Sequence, residues 1–427
     1  MKNKEDLSNV SGIAYRNKTR IIINDHPGIL KPCELSDMSM LENLKSINHK
    51  RSSDVLIMEA GRGCPFSCTF CSTNVFWKQN HRMKSVHSLI NDIIGLNIEY
   101  GYRMFAFMHD NFTLNKKHLH DFCSELLKVS HKFVWGCSSR IDTLDYETID
   151  LMKQSGCRWI LVGLETGSPR MQKLLNKNIS VEAALEKIMY IKNIGISINV
   201  SLMYGFPDET LDDFIKTMNI IETLIMNKIR TIDLNKFMPL PKTEEFKKVA
   251  DKLYFNKAGA DYSISIKISS HEGSTNLIRQ YIEIFPQFYS FDSVVRTKYK
   301  HMNFFLSFLL VIFADAFKTV SYLTKKYGII ALYDIMYNDI ELAFDEYADA
   351  SLSEHFNVIH SEISEMIVSQ SLDKSNVMRK LYIKFVSKLL EIDDDTYFKK
   401  IATLEFQKNL SALNDGDIYK FDVDIVS

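Results

Sequence analysis

The 427 residues include 52 Lys and Arg against 53 Asp and Glu, a formal net charge of -1 at pH 7, so no global field draws the chain to nucleic acid or to an anionic membrane. With 46% hydrophobic residues it can bury a large core, its length suits two or three domains, and a globular enzyme is the default class. The start, Met1 to Asp6, is charged with no apolar run behind it, so no secretory or transit signal is expected and the protein is read as cytoplasmic.

Residues 1–53 read as a linker-like N-terminal segment. From about residue 54, short β-branched apolar runs alternate with longer amphipathic stretches, the mark of repeated βα units and a parallel sheet. Strands are expected at Asp54 to Glu59, Arg103 to Met108, Phe133 to Ser138, Arg158 to Leu164, Ser197 to Met203 and Thr231 to Phe237. Helices are expected at Val86 to Tyr100, Lys116 to Val129, Tyr146 to Ser155, Val181 to Asn193 and Leu211 to Asn227, with Gly101, Gly156 and Gly195 supplying left-handed stops and Pro207-Asp208 opening the fifth. The fold class is therefore α/β, an open six-unit barrel over 54–245. A connector at 246–274 leads to an α-helical C-terminal domain, 275–427, with helical periodicity to about Phe406 and an acidic tail. Its most apolar stretch, Asn303 to Phe313, is too short to span a bilayer and is expected to be a buried helix.

All seven cysteines (Cys33, Cys64, Cys68, Cys71, Cys123, Cys137 and Cys157) fall in the first 157 residues, an odd number that fits reduced thiols better than disulfides. Cys64-Pro65-Phe66-Ser67-Cys68-Thr69-Phe70-Cys71 offers three closely spaced thiolates. Tetrahedral zinc wants a fourth ligand, and the nearest, His81, has no partner at a suitable spacing. Clusters that only carry electrons use four cysteines at other spacings. One 4Fe-4S cluster with an open fourth iron is the better fit for Cys64, Cys68 and Cys71.

This C-x3-C-x2-C run, with an aromatic before the last Cys, resembles the radical SAM superfamily, and within it the group often fused to a cobalamin-binding domain. The resemblance implies a partial (β/α)6 barrel and S-adenosylmethionine (SAM) held on the open iron. It also implies a one-electron reductant such as flavodoxin or ferredoxin, and reductive cleavage to methionine and a 5′-deoxyadenosyl radical that abstracts hydrogen from substrate. Phe70 would then pack near the adenine of bound SAM.

Further stretches carry the likeness, since the C-terminal strand ends of such a barrel share one mouth. Met108-His109-Asp110-Asn111-Phe112-Thr113 resembles the D-D-N-F-T segment, with Asp110 facing the mouth. Ser139-Arg140-Ile141-Asp142 resembles the S-R-x-D element, where Arg140 pairs with the SAM carboxylate. Gly163-Leu164-Glu165-Thr166-Gly167-Ser168 matches G-x-E-[ST]-G-S and puts Glu165 on the SAM ribose or amino group; Lys177 stands where relatives keep a basic residue for the carboxylate. The run from Ser201 to Thr210 resembles the fifth-strand G-x-P-x-E-T motif beside the adenosine.

Cobalamin, and with it cobalamin-dependent methylation, is not expected: 63 residues precede Cys64, and Asp25-His26-Pro27-Gly28 lacks the spacing of the D-x-H-x-x-G ligand motif. No cysteine follows Cys157 to build an auxiliary cluster, and methylthiolation of tRNA is not expected. The substrate is read as a ribosomally made peptide, gripped by aromatics such as Phe285 to Phe291. The alternatives are a small natural-product metabolite, or a SAM-binding iron-sulfur protein without catalysis. Cys137, near the barrel mouth, is the candidate catalytic hydrogen-atom donor to a substrate radical.

Overall fold

The computed structural model describes residues 7–18, 20–25, 55–130, 132–229, 231–256, 272–315, 317–354 and 388. The expected strand start at Asp54, the Asp25 to Gly28 run beyond Asp25, Cys33, connector residues 257–271, and residues 355–406 apart from 388 lie outside them.

In chain order the strands are β1 (Ala14–Asn17), β2 (Arg20–Ile23), β3 (Val55–Glu59), β4 (Gly61–Arg62), β5 (Arg82–Met83), β6 (Met104–Met108), β7 (Val134–Ser139), β8 (Cys157–Glu165), β9 (Ser197–Tyr204), β10 (Thr231–Lys236), β11 (Tyr254–Phe255) and β12 (Tyr289–Ser290). The helices are α1 (Ser72–Trp77), α2 (Val86–Tyr100), α3 (Lys116–Lys128), α4 (Tyr146–Gln154), α5 (Pro169–Leu174), α6 (Val181–Asn193), α7 (Leu211–Met226), α8 (Glu244–Lys247), α9 (Glu272–Gln280), α10 (Val294–Lys298), α11 (Met302–Asp315), α12 (Phe317–Tyr327) and α13 (Ile329–Glu354).

Six strands form one parallel sheet in the order β10-β9-β8-β7-β6-β3, so each strand lies beside its predecessor in that set, as repeated βα units require. The helices begin where a short polar side chain satisfies free backbone N–H groups. Ser85, Asn115, Asp145, Ser168 and Ser180 each accept such a bond, and Thr210 and Asp213 cap α7 reciprocally. Gly101, Gly156 and Gly195 adopt φ of 80°, 100° and 77°, as the stop signals demand. The fifth long helix starts after Thr210, three residues beyond Pro207, because the reciprocal cap and not the proline defines its first turn.

Alternation along the strands divides the sheet into two faces. Phe105, Phe107, Trp135, Cys137, Ile160, Val162, Ile198, Val200, Ile232 and Leu234 are buried under the helices. Their neighbours Ile57, Ala106, Gly136, Leu161, Asn199 and Asp233 project from the other, inner face. Gly136 is required there, because a Cβ on it would lie 2.1 Å from the Trp159 ring.

Asn303 to Phe313 is indeed helical within α11, where Phe304, Phe305, Leu306, Phe308 and Leu309 are buried. No helix among the described residues is long and apolar enough to cross a membrane. The helices from α11 to α13 share one hydrophobic core with the sheet and α7. Tyr299 stacks on Phe214 at 4.5 Å, and Glu222 accepts from the Ile329 N–H at 2.7 Å.

Candidate active site at the strand ends

The segment from Gly63 to Cys71 has no helix or strand of its own, so its shape is set by anchors from elsewhere in the chain. Asp110, just past β6, accepts the Gly63 N–H at 2.7 Å through one carboxylate oxygen and the Thr73 hydroxyl at 3.1 Å through the other, tying both ends of the loop. Asn176 donates to the Ser67 hydroxyl at 2.8 Å, and Thr69 donates to Glu245 of α8 at 2.8 Å. The Arg140 guanidinium lies 3.9 Å from the Phe66 ring centre and 3.5 Å from Cys68 Sγ. Gly63, at φ +88°, admits no side chain, since a Cβ would meet the Asn80 carbonyl at 1.7 Å.

The three thiols are near enough to influence one another. Burial pushes Cys64 above its ordinary range, with Cys68 and Cys71 adding to the rise. Burial also raises Cys68, while Lys177 and Arg140 pull it back toward the thiolate. Among the described residues no three His, Cys, Asp or Glu side chains gather as a single-ion site would need. An iron-sulfur cube takes each thiolate on a different iron, so its ligands ring the cube and do not converge on one point. The donor set, three free thiols flanked by two cationic side chains, fits such a cluster.

Glu165 ends β8 at φ +68°, a left-handed conformation unusual for a side chain of its size, and the β8–β9 register slips between Gly163 and Glu165. The bulge turns its carboxylate back over Gly163, where it meets Lys177 Nζ at 2.5 Å. A Cβ at Gly163 would fall 2.2 Å from that carboxylate oxygen and 2.9 Å from the ammonium. Both partners are buried, 11% and 7% exposed at the side chain. Lys177 Nζ also lies 6.0 Å from the Phe70 ring centre, and Phe70 meets Phe206 edge-on at 6.0 Å. Arg140 binds Asp142 through two nitrogens, at 2.9 and 3.0 Å, and donates to the Lys177 carbonyl. Arg140, Glu165, Lys177, Phe70 and the cysteine loop thus form one constellation. Ser201 is on the inner face, level with Gly163 across the β8–β9 pairing.

Asp110, expected at the mouth, uses one bond on each oxygen to hold the cysteine loop and the first turn of α1. Cys137 is 5% exposed, and burial drives its thiol far above the ordinary range, with Cys123 of α3 adding to the rise. The pleat turns it under the helices while Gly136 and Ser138 take the inner face, so it is not brought together with the others. Nor do the aromatics expected to grip a peptide stand free: Phe288, Tyr289 and Phe291 are all buried.

Anchors that the sequence did not announce include Asn176, Glu245 and Arg296. Arg296 is buried and donates to the carbonyls of Phe291 at 2.7 Å, Phe237 at 2.8 Å and Gly205 at 3.4 Å, fastening the C-terminal segment to the ends of β9 and β10. The G-F-P-D-E-T match around Gly205 was the one sequence signal pointing at this corner.

Within that motif, Glu209 accepts the Gly205 and Phe206 N–H groups through one oxygen, while its other oxygen is buried without a partner. Burial pushes the carboxyl up to about 8 from 4.5, against the lowering effect of those two bonds. A raised carboxyl means the folded chain binds the extra proton. The group's contribution to stability is thus full below 4.5 and is lost as pH rises through about 8. Glu209→Gln should flatten this fall, as thermal melts between about pH 5 and pH 9 would measure.

Residues 58–221 match the model of the Radical SAM superfamily. The chain carries a radical SAM domain. An uncharacterized methyltransferase of Pyrococcus horikoshii is 32% identical to this chain over 168 residues, 39% of this chain and 37% of its own. The anaerobic magnesium-protoporphyrin IX monomethyl ester cyclase of Rubrivivax gelatinosus is 25% identical, over 51% of this chain and 39% of its own. The chain therefore spans under half the length of these two relatives. Among solved structures, the cobalamin-dependent SAM radical enzyme OxsB, with aqua-cobalamin bound, superposes with a TM-score of 0.52 at 15% identity, covering 97% of this chain and 63% of OxsB. That likeness shows the fold. The expectation that cobalamin takes no part gains no support from it.

Proposed function

We propose that this protein is a radical SAM enzyme whose Cys64, Cys68 and Cys71 hold one 4Fe-4S cluster and whose inner sheet face receives a small organic substrate. The observation that carries this reading is the convergence of three free thiols with Arg140 and the Glu165–Lys177 pair at the ends of β7 and β8. When bound, the cluster supplies one electron to the SAM sulfonium, so that 5′-deoxyadenosyl and methionine separate.

The chain's own residues account for the rest. Arg140 and Lys177 present positive charge beside Cys68, which favours its thiolate and offers donors to a carboxylate. Glu165, held over Gly163 by its bulge, offers acceptors to an amine or a ribose hydroxyl. Phe70, half-buried and backed edge-on by the buried Phe206, supplies an apolar surface suited to a nucleobase. The Arg296 staple keeps the C-terminal segment against the strand ends, helping to exclude water from a reactive intermediate. In this reading 54–245 is the catalytic unit, the helices from α11 to α13 pack onto its core, and the cytoplasm keeps the thiols reduced.

Peptide maturation and small-metabolite chemistry both follow from hydrogen abstraction. The metabolite reading is the better supported, because the aromatics assigned to a peptide grip are core and the named cyclase relative acts on a tetrapyrrole ester. The test is anaerobic reconstitution with iron and sulfide, then dithionite and SAM. Equal amounts of 5′-deoxyadenosine and methionine are expected; a fully loaded cluster that binds SAM without cleaving it would leave the non-catalytic reading standing.

A further inference from the structure

The inner face of the sheet is divided by chemistry. On β3, β6 and β8 it is apolar: Val55, Ile57, Ala106, Trp159 and Leu161 project there, with Ile57 62% and Leu161 38% exposed. On β9 and β10 it turns polar, through Asn199, Ser201, Thr231, Asp233 and Asn235, with Met203 the apolar exception. Asp233 is exposed and, among the described residues, has one hydrogen-bond partner, Asn199 Nδ2 at 2.9 Å, and no ion pair. The bond spends an amide hydrogen of Asn199, whose Oδ1 is buried with no hydrogen-bond partner among the described residues. The amide thereby orients the Asp233 carboxylate on the exposed inner face.

Their position relative to the candidate SAM site follows from register. Gly163 pairs with Ser201 and Ser201 with Asp233, so the three form one row across the inner face. The Glu165–Lys177 pair sits over Gly163 at one end of that row. Asp233 is at the other, two strand spacings or about 10 Å away. A substrate set beside SAM on this face would reach Asp233 with one end by crossing Ser201, with Leu161 in the neighbouring row beside it.

From this juxtaposition we infer that Asp233, with Asn199, is the anchor for a protonated amine on an otherwise apolar substrate. A carboxylate matches the donors of an ammonium, repels another carboxylate and gains nothing from a hydrocarbon end. This rests on the reading of the site as a radical SAM centre and adds the substrate's charge and polarity to it.

The test uses the full chain, anaerobically loaded with iron and SAM, and compares binding of n-hexylamine and hexanoate by calorimetry. Native protein is expected to prefer the amine by about fivefold, the range of a partly exposed ion pair. Asp233→Asn, nearly isosteric, should bring the two affinities together, and Asp233→Lys should invert the preference, which a merely structural role would not do. Equal affinities in native protein, no binding of n-hexylamine, or a preference that survives Asp233→Asn would overturn the inference alone. Protein that takes up neither iron nor SAM would overturn the underlying reading, and this inference with it.

Discussion

Cys68→Ala is expected to abolish iron retention and SAM cleavage together. Of the three loop thiols it is the most buried, at 8% exposed, and the one with Arg140 3.5 Å from its sulfur. The cations flanking this thiolate, Lys177 and Arg140, carry donors and no lone pair that can bind the iron in its place. Iron analysis after anaerobic reconstitution, together with the visible absorption of the cluster, should fall to background, and no 5′-deoxyadenosine should form. Cys123→Ala serves as the contrast. That thiol lies on the helix-covered side of the sheet, so iron uptake should persist. Full iron loading in Cys68→Ala would remove the basis of the proposed function.

The second large effect is expected at Glu165. Glu165→Ala leaves the Lys177 ammonium buried without its counterion, and breaking a buried pair from one side costs about 3–5 kcal/mol. Relief of the left-handed φ of +68° is absent in this variant, since alanine is strained there as well. Glu165→Gln keeps an acceptor for Lys177 but removes the charge, so it should fold better while still losing SAM affinity. Denaturant unfolding separates the first effect, and titration of SAM against the iron-loaded variants reads the second. Unchanged SAM affinity in both variants would refute the role proposed for Glu165.

These two residues also mark how far the chain could be read without its structure. The C-x3-C-x2-C spacing and the G-x-E-[ST]-G-S match lie within a few residues each, so local order displays them. Lys177 could be named as a candidate, but its ion pair with Glu165 depends on a register slip in β8 that no spacing rule reveals. Asp110 was legible as a residue at a strand end, yet its partners Gly63 and Thr73 are 47 and 37 positions away. Cys137 shows the same limit. Proximity to a strand end suggested the mouth, and the two-residue pleat sends alternate side chains to opposite faces.

The order of strands and helices, the glycine stops, the polar caps and the thiol run were determined by the sequence alone, because each depends on backbone preferences or spacings spanning a turn or two. Which face each strand residue took, which anchors shaped the cysteine loop, and the fusion of α11 to α13 with the barrel core were decided only in three dimensions. Those choices depend on packing between segments far apart in the chain, where the gain from burying apolar surface and pairing buried charge is shared among elements that carry no local record of one another.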